Sequence, residues 1–327
     1  MRRREFIALL GGAIAAPGAA RAERPAKKFR LAVVGPMGLM PQGSPNAKVL
    51  LGALNGFGYK LGGNLIFEGS AAPAGQVVSP SQTIDELKAR KVDIIVAWGF
   101  PVVQAAKNAN IPTVVAFGVG DPVATGLVQN LAQPGGVVTG ISDVATTLST
   151  KRLGLLKELN PRLNRVAMLW NKDDLGMSLR YEASAKAAQA IGVDVEAVGV
   201  REPNDFNEAF AVMDKDAPDA ILMVSDSLTM LNRKRVFEYA AAHRLPAIYE
   251  FDSLVHEGGL MSYGADLKES FERAAAMVDR IFKGANPGEL PFEQPTRYPF
   301  VINLKTAKSI GLEFPPTLLA LADEVIE

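Results

Sequence analysis

The chain has 327 residues, 48% of them hydrophobic and 21% charged, which is enough for one large domain or two smaller ones with real cores. Its formal net charge is zero, which gives no support to nucleic-acid binding, where a basic face is needed. It contains no cysteine, so disulfides, a thiolate nucleophile and a cysteine-ligated metal are excluded.

Residues 1–22 read as an export signal peptide. Arg2, Arg3 and Arg4 form a basic start, an apolar run follows from Phe6 to Ala16, and Ala20-Arg21-Ala22 is a small-x-small cleavage signal. The apolar run is well short of the ~20 residues that span a bilayer. Arg3-Arg4-Glu5-Phe6-Ile7 resembles the twin-arginine export pattern, and the arginines also fit a plain basic leader. No cysteine follows the run, so no lipid anchor is expected. The mature chain is expected to begin near Glu23, outside the cytoplasm, in the periplasm.

From there strand and helix patterns alternate. FRLAVVG (29–35), LIFEGS (65–70), VDIIVAWG (92–99) and PTVVAFG (112–118) are apolar strand signals, with helical patterns at 81–91 and 101–110 between them. The second of these helices opens on Pro101, a residue tolerated in a first turn. The alternation then restarts. Residues 146–161 form an amphipathic helix stopped by Pro161, and RVAMLWN (165–171) is a strand. A helix at 179–192, a strand at 193–200, a helix at 205–215, a strand at 219–226, a helix at 231–244 and a strand at 245–251 follow. Continuous apolar strands alternating with helices predict parallel sheets covered on both faces. The pattern is an α/β fold of two doubly wound lobes, with more than one crossing between them because elements at 266–283, 300–304 and 305–311 trail the second run.

Ligands of open α/β sheets bind beyond the carboxyl ends of the strands. Those ends carry Trp98-Gly99-Phe100, Asp121, Trp170-Asn171, Ser225-Asp226 and Tyr249. The chain has two tryptophans, and both lie there. We expect the two indoles to face each other across a cleft, with Phe100 and Tyr249, since rings offer large contact area to an aromatic ligand. The competing reading is that each Trp is only a lid on its core. Ser142, Asp143, Ser225 and Asp226 also fit helix N-caps, a role compatible with binding. Ser142, Asn171, Asp226 and the amides of Gly99 and Phe100 are expected to hold the ligand's polar end, and Asp121 or Asp226 an ammonium.

Enzymatic patterns are missing. Gly35, Gly38 and Gly43 do not complete a dinucleotide fingerprint, although Glu68 sits where a ribose-binding acid could. His243 and His256 lie in no zinc-ligand spacing, and no G-x-S-x-G elbow occurs. Asp173-Asp174 is an adjacent acid pair of the kind usually solvated in a loop, and Arg233-Lys234-Arg235 reads as a solvated helix face. No cofactor, metal or nucleic acid is expected.

Several stretches resemble the ABC transporter substrate-binding protein family with a type I periplasmic-binding fold: GVGDPVATGLV (118–128), QPGGVVTGIS (133–142), KRLGLLKELNP (151–161), LPAIYEFDSLVHEGGLMSYG (245–264) and the final segment 294–327. The resemblance implies two Rossmann-like lobes joined by hinge strands, a small-molecule ligand in the cleft and an inner-membrane ABC permease as partner. Some relatives are associated with aromatic amino acids. By resemblance, Gly120-Asp121-Pro122 matches the family's turn on the cleft side of the first lobe, Ser142-Asp143 the start of the crossover, Asn171 an Asn after the first strand of the second lobe, and Tyr249 the Tyr of a Tyr-Glu pair. Trp98, Phe100 and Trp170 depart from the pattern, since relatives often carry small residues such as Thr or Gly at the first two. The departures point to a flat aromatic or hydrophobic solute, an amino acid or an aromatic acid. The resemblance assigns 28–142 plus about 254–290 to the N-terminal lobe and 143–253 plus about 291–327 to the C-terminal lobe, in a monomer. An extracytoplasmic enzyme, or a ligand-sensing partner of a receptor, using the same cleft are the alternatives.

Overall fold

The computed structural model describes residues 27–69, 78–142 and 144–327. The expected export signal peptide and Asp143 lie outside the described residues.

The first sheet begins with β1 (Phe29–Gly35), which turns back through β2 (Gly38–Leu39) into α1 (Pro45–Gly56). It continues with β3 (Leu65–Glu68), α2 (Pro80–Ala89), β4 (Ile94–Trp98), α3 (Phe100–Asn108), β5 (Thr113–Phe117) and β6 (Val138–Gly140). The order is β2-β1-β4-β5-β6 with β3 also on β1, parallel except for β2. The second sheet follows α4 (Ala145–Leu159): β7 (Arg165–Asn171), α5 (Leu175–Gln189), β8 (Asp194–Val200), α6 (Asp205–Lys215), β9 (Ala220–Met223), α7 (Ser227–Leu231), α8 (Arg233–His243) and β10 (Ala247–Tyr249). After α9 (Asp252–His256) and β11 (Met261–Tyr263), the chain returns to the first lobe as α10 (Leu267–Phe282). It ends in the second lobe with β12 (Phe300–Asn303), α11 (Leu304–Ser309), α12 (Pro316–Leu321) and β13 (Glu324–Ile326). That sheet has the order β13-β12-β11-β10-β9-β7-β8, with β12 antiparallel to β11.

Strand parity builds the cores. Leu31, Ala32, Val33 and Val34 of β1 are all fully buried. Leu31 and Val33 enter one cluster with Leu50 and Leu54 of α1 and Phe271 of α10, whereas Ala32 and Val34 enter another with Leu87 of α2 and Val102 of α3. Successive side chains of a strand point to opposite faces, so a run apolar at every position needs helices on both sides. The same holds in β7: Val166 and Met168 face one core, Ala167 and Leu169 the other.

Two features differ from the sequence expectation. Helix α1 was not anticipated, although Ser44 caps it by accepting from the Ala47 N–H at 3.3 Å and Pro45 stands in its first turn. Residues 254–263, expected in the first lobe, lie in the second, because β11 pairs with β10 (Ile248 opposite Met261) and with β12. The chain returns to the first lobe only as α10 and stays there through Glu293, whose N–H donates to the Gly140 carbonyl at 2.9 Å.

Helix α10 is thus held to the first lobe by its apolar face rather than by its neighbours in sequence. Phe271 is fully buried, 6.2 Å from Phe117 between ring centroids. Phe271→Ala is expected to lower unfolding free energy by about 3–5 kcal/mol, read as a reduced urea midpoint.

Candidate functional site

A cavity of about 220 Å³ opens between the carboxyl ends of the two sheets. Pro36, Met37, Trp98, Gly99, Phe117 and Gly118 line it from the first lobe. Its size is close to the lower end of the roughly 300–1,000 Å³ usual for small-molecule pockets.

The first-lobe wall is aromatic, and a glycine makes it possible. Trp98 is the last residue of β4, and its indole lies flat over Gly35 at the end of β1. A Cβ on Gly35 would fall 2.0 Å from the Trp98 ring, so no other residue leaves room for the indole. The Trp98 ring stacks on Phe117 with centroids 5.7 Å apart and planes at 16°. Phe117 in turn meets Phe251 of the other lobe edge to face, at 5.4 Å and 76°. Gly99, at φ 81°, turns the chain from β4 into α3, and its N–H donates to the Phe117 carbonyl at 3.3 Å. The positive φ is open to glycine at no steric penalty.

The second-lobe wall is polar and acidic at its centre. Asp174 caps α5, accepting from the Met177 N–H at 3.3 Å, and is 4% exposed. Asp226 caps α7 through Oδ1, which accepts from Leu228 N–H at 2.7 Å and Thr229 N–H at 3.0 Å, and its Oδ2 accepts from Asn171 N–H at 2.9 Å. Burial pushes both carboxyls up to about 6, and for Asp174 the negative charge of Asp226 adds to the rise. Ser225 lies beside them with its hydroxyl buried and without a partner among the described residues. Met177, Met230 and Phe251 complete this side with adaptable apolar surface.

Beneath that wall runs a buried ion cluster. The Glu250 carboxylate accepts from Arg152 at 3.0 Å and from Arg180 at 2.6 Å through Oε1, and from the Ser225 N–H at 2.9 Å through Oε2. Burial by itself would raise the Glu250 carboxyl, but Arg180 and Arg152 hold it below its ordinary range. The group therefore stays charged, and it fixes the backbone at Ser225, one residue before the capping aspartate.

The pattern that describes ABC transporter substrate binding proteins matches residues 46–326, most of the chain. This chain belongs to that family. The family is one of solute-binding proteins rather than enzymes. The chain is 26% identical to the tyrosine-binding protein of Clostridioides difficile (strain R20291), over 81% of this chain and 76% of that one. Among solved structures it resembles a conserved domain protein from Vibrio cholerae, with a TM-score of 0.83, 25% identity and coverage of 91% of this chain and 100% of the other. It also shares the fold of an ABC domain from Streptococcus pneumonia in complex with L-Trp, with a TM-score of 0.78, 24% identity and coverage of 92% and 100%. Among the described residues no helix is long and apolar enough to cross a membrane.

Within this substrate-binding protein the residues expected from sequence fall into three groups. Trp98, Gly99 and Asp226 line the cavity. Asn171 stands behind it, holding Asp226 through its backbone N–H. Phe100, Asp121, Ser142, Trp170 and Tyr249 lie outside the lining. Phe100 packs partly buried against the core under α3, and Asp121 is exposed, capping the turn after β5 by accepting from Val123 and Ala124 N–H groups. Ser142 is buried at the crossing to the second lobe, its N–H on the Glu293 carbonyl.

The two indoles do not face each other. Trp170 shares the parity of Val166 and Met168 and enters the core of the second lobe, 6% exposed and stacked on Tyr181 at 4.1 Å. Tyr249 likewise turns into the second lobe, against Phe237. Phe117, Phe251, Asp174 and Ser225 were not singled out as ligand contacts. Each is within three residues of a strand end, the one signal that could have found them, but parity and loop path decide which of those residues turns inward.

The raised Asp174 and Asp226 carboxyls have a consequence for stability. Their ordinary value is 3.8, so between there and about 6 the folded chain binds protons that the unfolded chain does not. Their contribution is unfavourable at neutral pH and is relieved as pH falls through about 6. The ligand-free protein is expected to show a higher melting temperature near pH 5 than the Asp174→Asn variant's own pH trend accounts for. Parallel melting curves of the two proteins against pH check this.

Proposed function

We propose that this chain is the extracytoplasmic binding component of an ABC importer and that it captures an aromatic amino acid between its lobes. The observation that carries the reading is the pairing of walls. The Trp98 indole, laid on Gly35 and stacked with Phe117, faces a cavity whose opposite side holds the Asp174 and Asp226 carboxylates. A flat ring with a cationic amine at one end matches both sides at once. Stacking on Trp98 would add about 0.5–1.5 kcal/mol beyond area burial. The ammonium would sit by Asp174 and Asp226, and the unpartnered Ser225 hydroxyl would donate to the ligand's carboxylate. The tyrosine-binding relative and the L-Trp complex are in accord with this class of solute. The signal-like residues 1–22 support export, and membership of the family supports a permease as the partner that receives the ligand.

Calorimetric titration with L-tryptophan, L-tyrosine, L-phenylalanine, L-leucine and indole-3-propionate tests the proposal. The aromatic amino acids are expected to bind and to raise the melting temperature. Leucine, which lacks the ring, and indole-3-propionate, which lacks the amine, are expected to bind far more weakly. Trp98→Ala should weaken aromatic binding by about tenfold or more. Equal binding of leucine, or unchanged affinity in Trp98→Ala, would refute the aromatic assignment. Affinity should also fall as pH drops from about 7 to about 5, because protonated Asp174 and Asp226 no longer attract an ammonium.

A further inference from the structure

Beside the cavity the two lobes touch through bare backbone. Gly120, in the turn after β5 of the first lobe, lies against Gly176, in the first turn of α5 of the second. A Cβ on Gly176 would sit 2.8 Å from the Val119 carbonyl oxygen and 3.1 Å from its carbonyl carbon. A Cβ on Gly120 would sit 2.9 Å from the Gly176 carbonyl oxygen and 3.1 Å from its Cα. The contact is reciprocal, and on both sides the nearest obstacle is main chain, with the Asp174 Oδ1 a further neighbour at 3.2 Å from the Gly176 Cβ position. Neither side yields locally. Val119 is fully buried in the first-lobe core and Met177, next to Gly176, is fully buried in the second.

We propose that Gly120 and Gly176 are the positioning residues that set how far the lobes close, and through closure the affinity for the ligand. The proposal rests on the reading that a solute is held between the lobes. Asp174 and Met177, which flank Gly176, and Gly118, two residues before Gly120, all line the cavity. A side chain at either glycine therefore acts as a wedge next to the ligand's wall, and lobe separation is the way to relieve it. A binding-competent closed form whose population falls by some factor lowers apparent affinity by that factor.

The two glycines differ in a way that makes a clean test. Gly120 has φ +68°, so a substitution there strains the turn whatever the space. Gly176 lies in the first turn of a helix and outside the left-handed region, so alanine suits its backbone. Gly176→Ala should thus leave the fold intact or stabilise it while opposing closure. Gly154→Ala is the control, since Gly154 is also helical, in α4, and nothing lies within 4 Å of where its Cβ would be.

The chain has no cysteine, so Phe57→Cys and Val212→Cys, at exposed positions on opposite lobes, allow two spin labels to report the interlobe distance. The distance distribution would be recorded without ligand and with saturating L-tryptophan, alongside titration and melting of the unlabelled proteins. Gly176→Ala is expected to lose the short-distance population in both states and, where wild type binds L-tryptophan, to bind it about tenfold or more weakly. Its ligand-free melting temperature should be equal to or above that of wild type, and Gly154→Ala should match wild type in distance and affinity. A wild-type distance distribution in Gly176→Ala overturns the proposal, as does unchanged affinity. If wild type itself fails to bind L-tryptophan, the aromatic assignment fails, and the ligand-free distributions still decide whether the glycine contact governs closure.

Discussion

The second-lobe half of the cavity depends on one buried carboxylate. Glu250 is 4% exposed and joins Arg152 of α4, Arg180 of α5 and the backbone of Ser225 after β9. Breaking a buried ion pair by removing one partner costs about 3–5 kcal/mol, so these three elements are tied together at their cleft ends. Arg152 also donates through Nε to the Tyr263 carbonyl at 2.6 Å, which extends the tie to the end of β11, just before the chain leaves for the first lobe. Gly264 follows directly, and a Cβ there would fall 1.9 Å from the Glu250 carbonyl oxygen, so the crossing segment presses against the same residue. The wall that presents Asp174 and Asp226 and one of the segments that connect the lobes are therefore anchored at one point.

With that anchor in place, the polar wall needs little else. Asp174 and Asp226 are each committed to helix-starting amides, which fixes their orientation. Those bonds favour the charged form, while burial opposes it, joined at Asp174 by the charge of Asp226 and at Asp226 by that of Glu250, and the balance leaves both carboxyls raised to about 6. A cation entering beside them would stabilise both charges. The first lobe supplies the opposite chemistry with equal economy: Gly35 offers a flat backbone floor, Trp98 lies on it, and Phe117 stacks with it along the cavity. Neither wall is a complete site. The two walls belong to different lobes, and the contact between Gly120 and Gly176 lies beside them.

The two-lobed α/β architecture was legible because its cause is local. A strand buried on both faces must be apolar at every position, and AVV in β1, IIVA in β4 and AILM in β9 are short apolar runs of that kind, set between helical patterns. The same regularity located the strand ends and hence the neighbourhood of the cavity. Helix α1 is hard to read from sequence because its signals, Ser44 and Pro45 ahead of Leu50 and Leu54, are short and dispersed. The lobe assignment of 254–263 failed for a different reason. The pairing of β11 with β12 joins residues about forty positions apart, and nothing local to either strand encodes it.

The sequence by itself determined the fold class, the two-lobe repeat and the set of strand ends from which any cleft must be built, since burial periodicity is a property of neighbouring residues. Only the tertiary structure decided which side chains enter the cleft. Trp98 and Trp170 both end or nearly end a strand, yet one lies over Gly35 at the cavity and the other stacks on Tyr181 in a core. The difference comes from which face each residue's parity presents and what already occupies that face. It is a relation between elements distant in the chain, and a reading of either segment alone does not contain it.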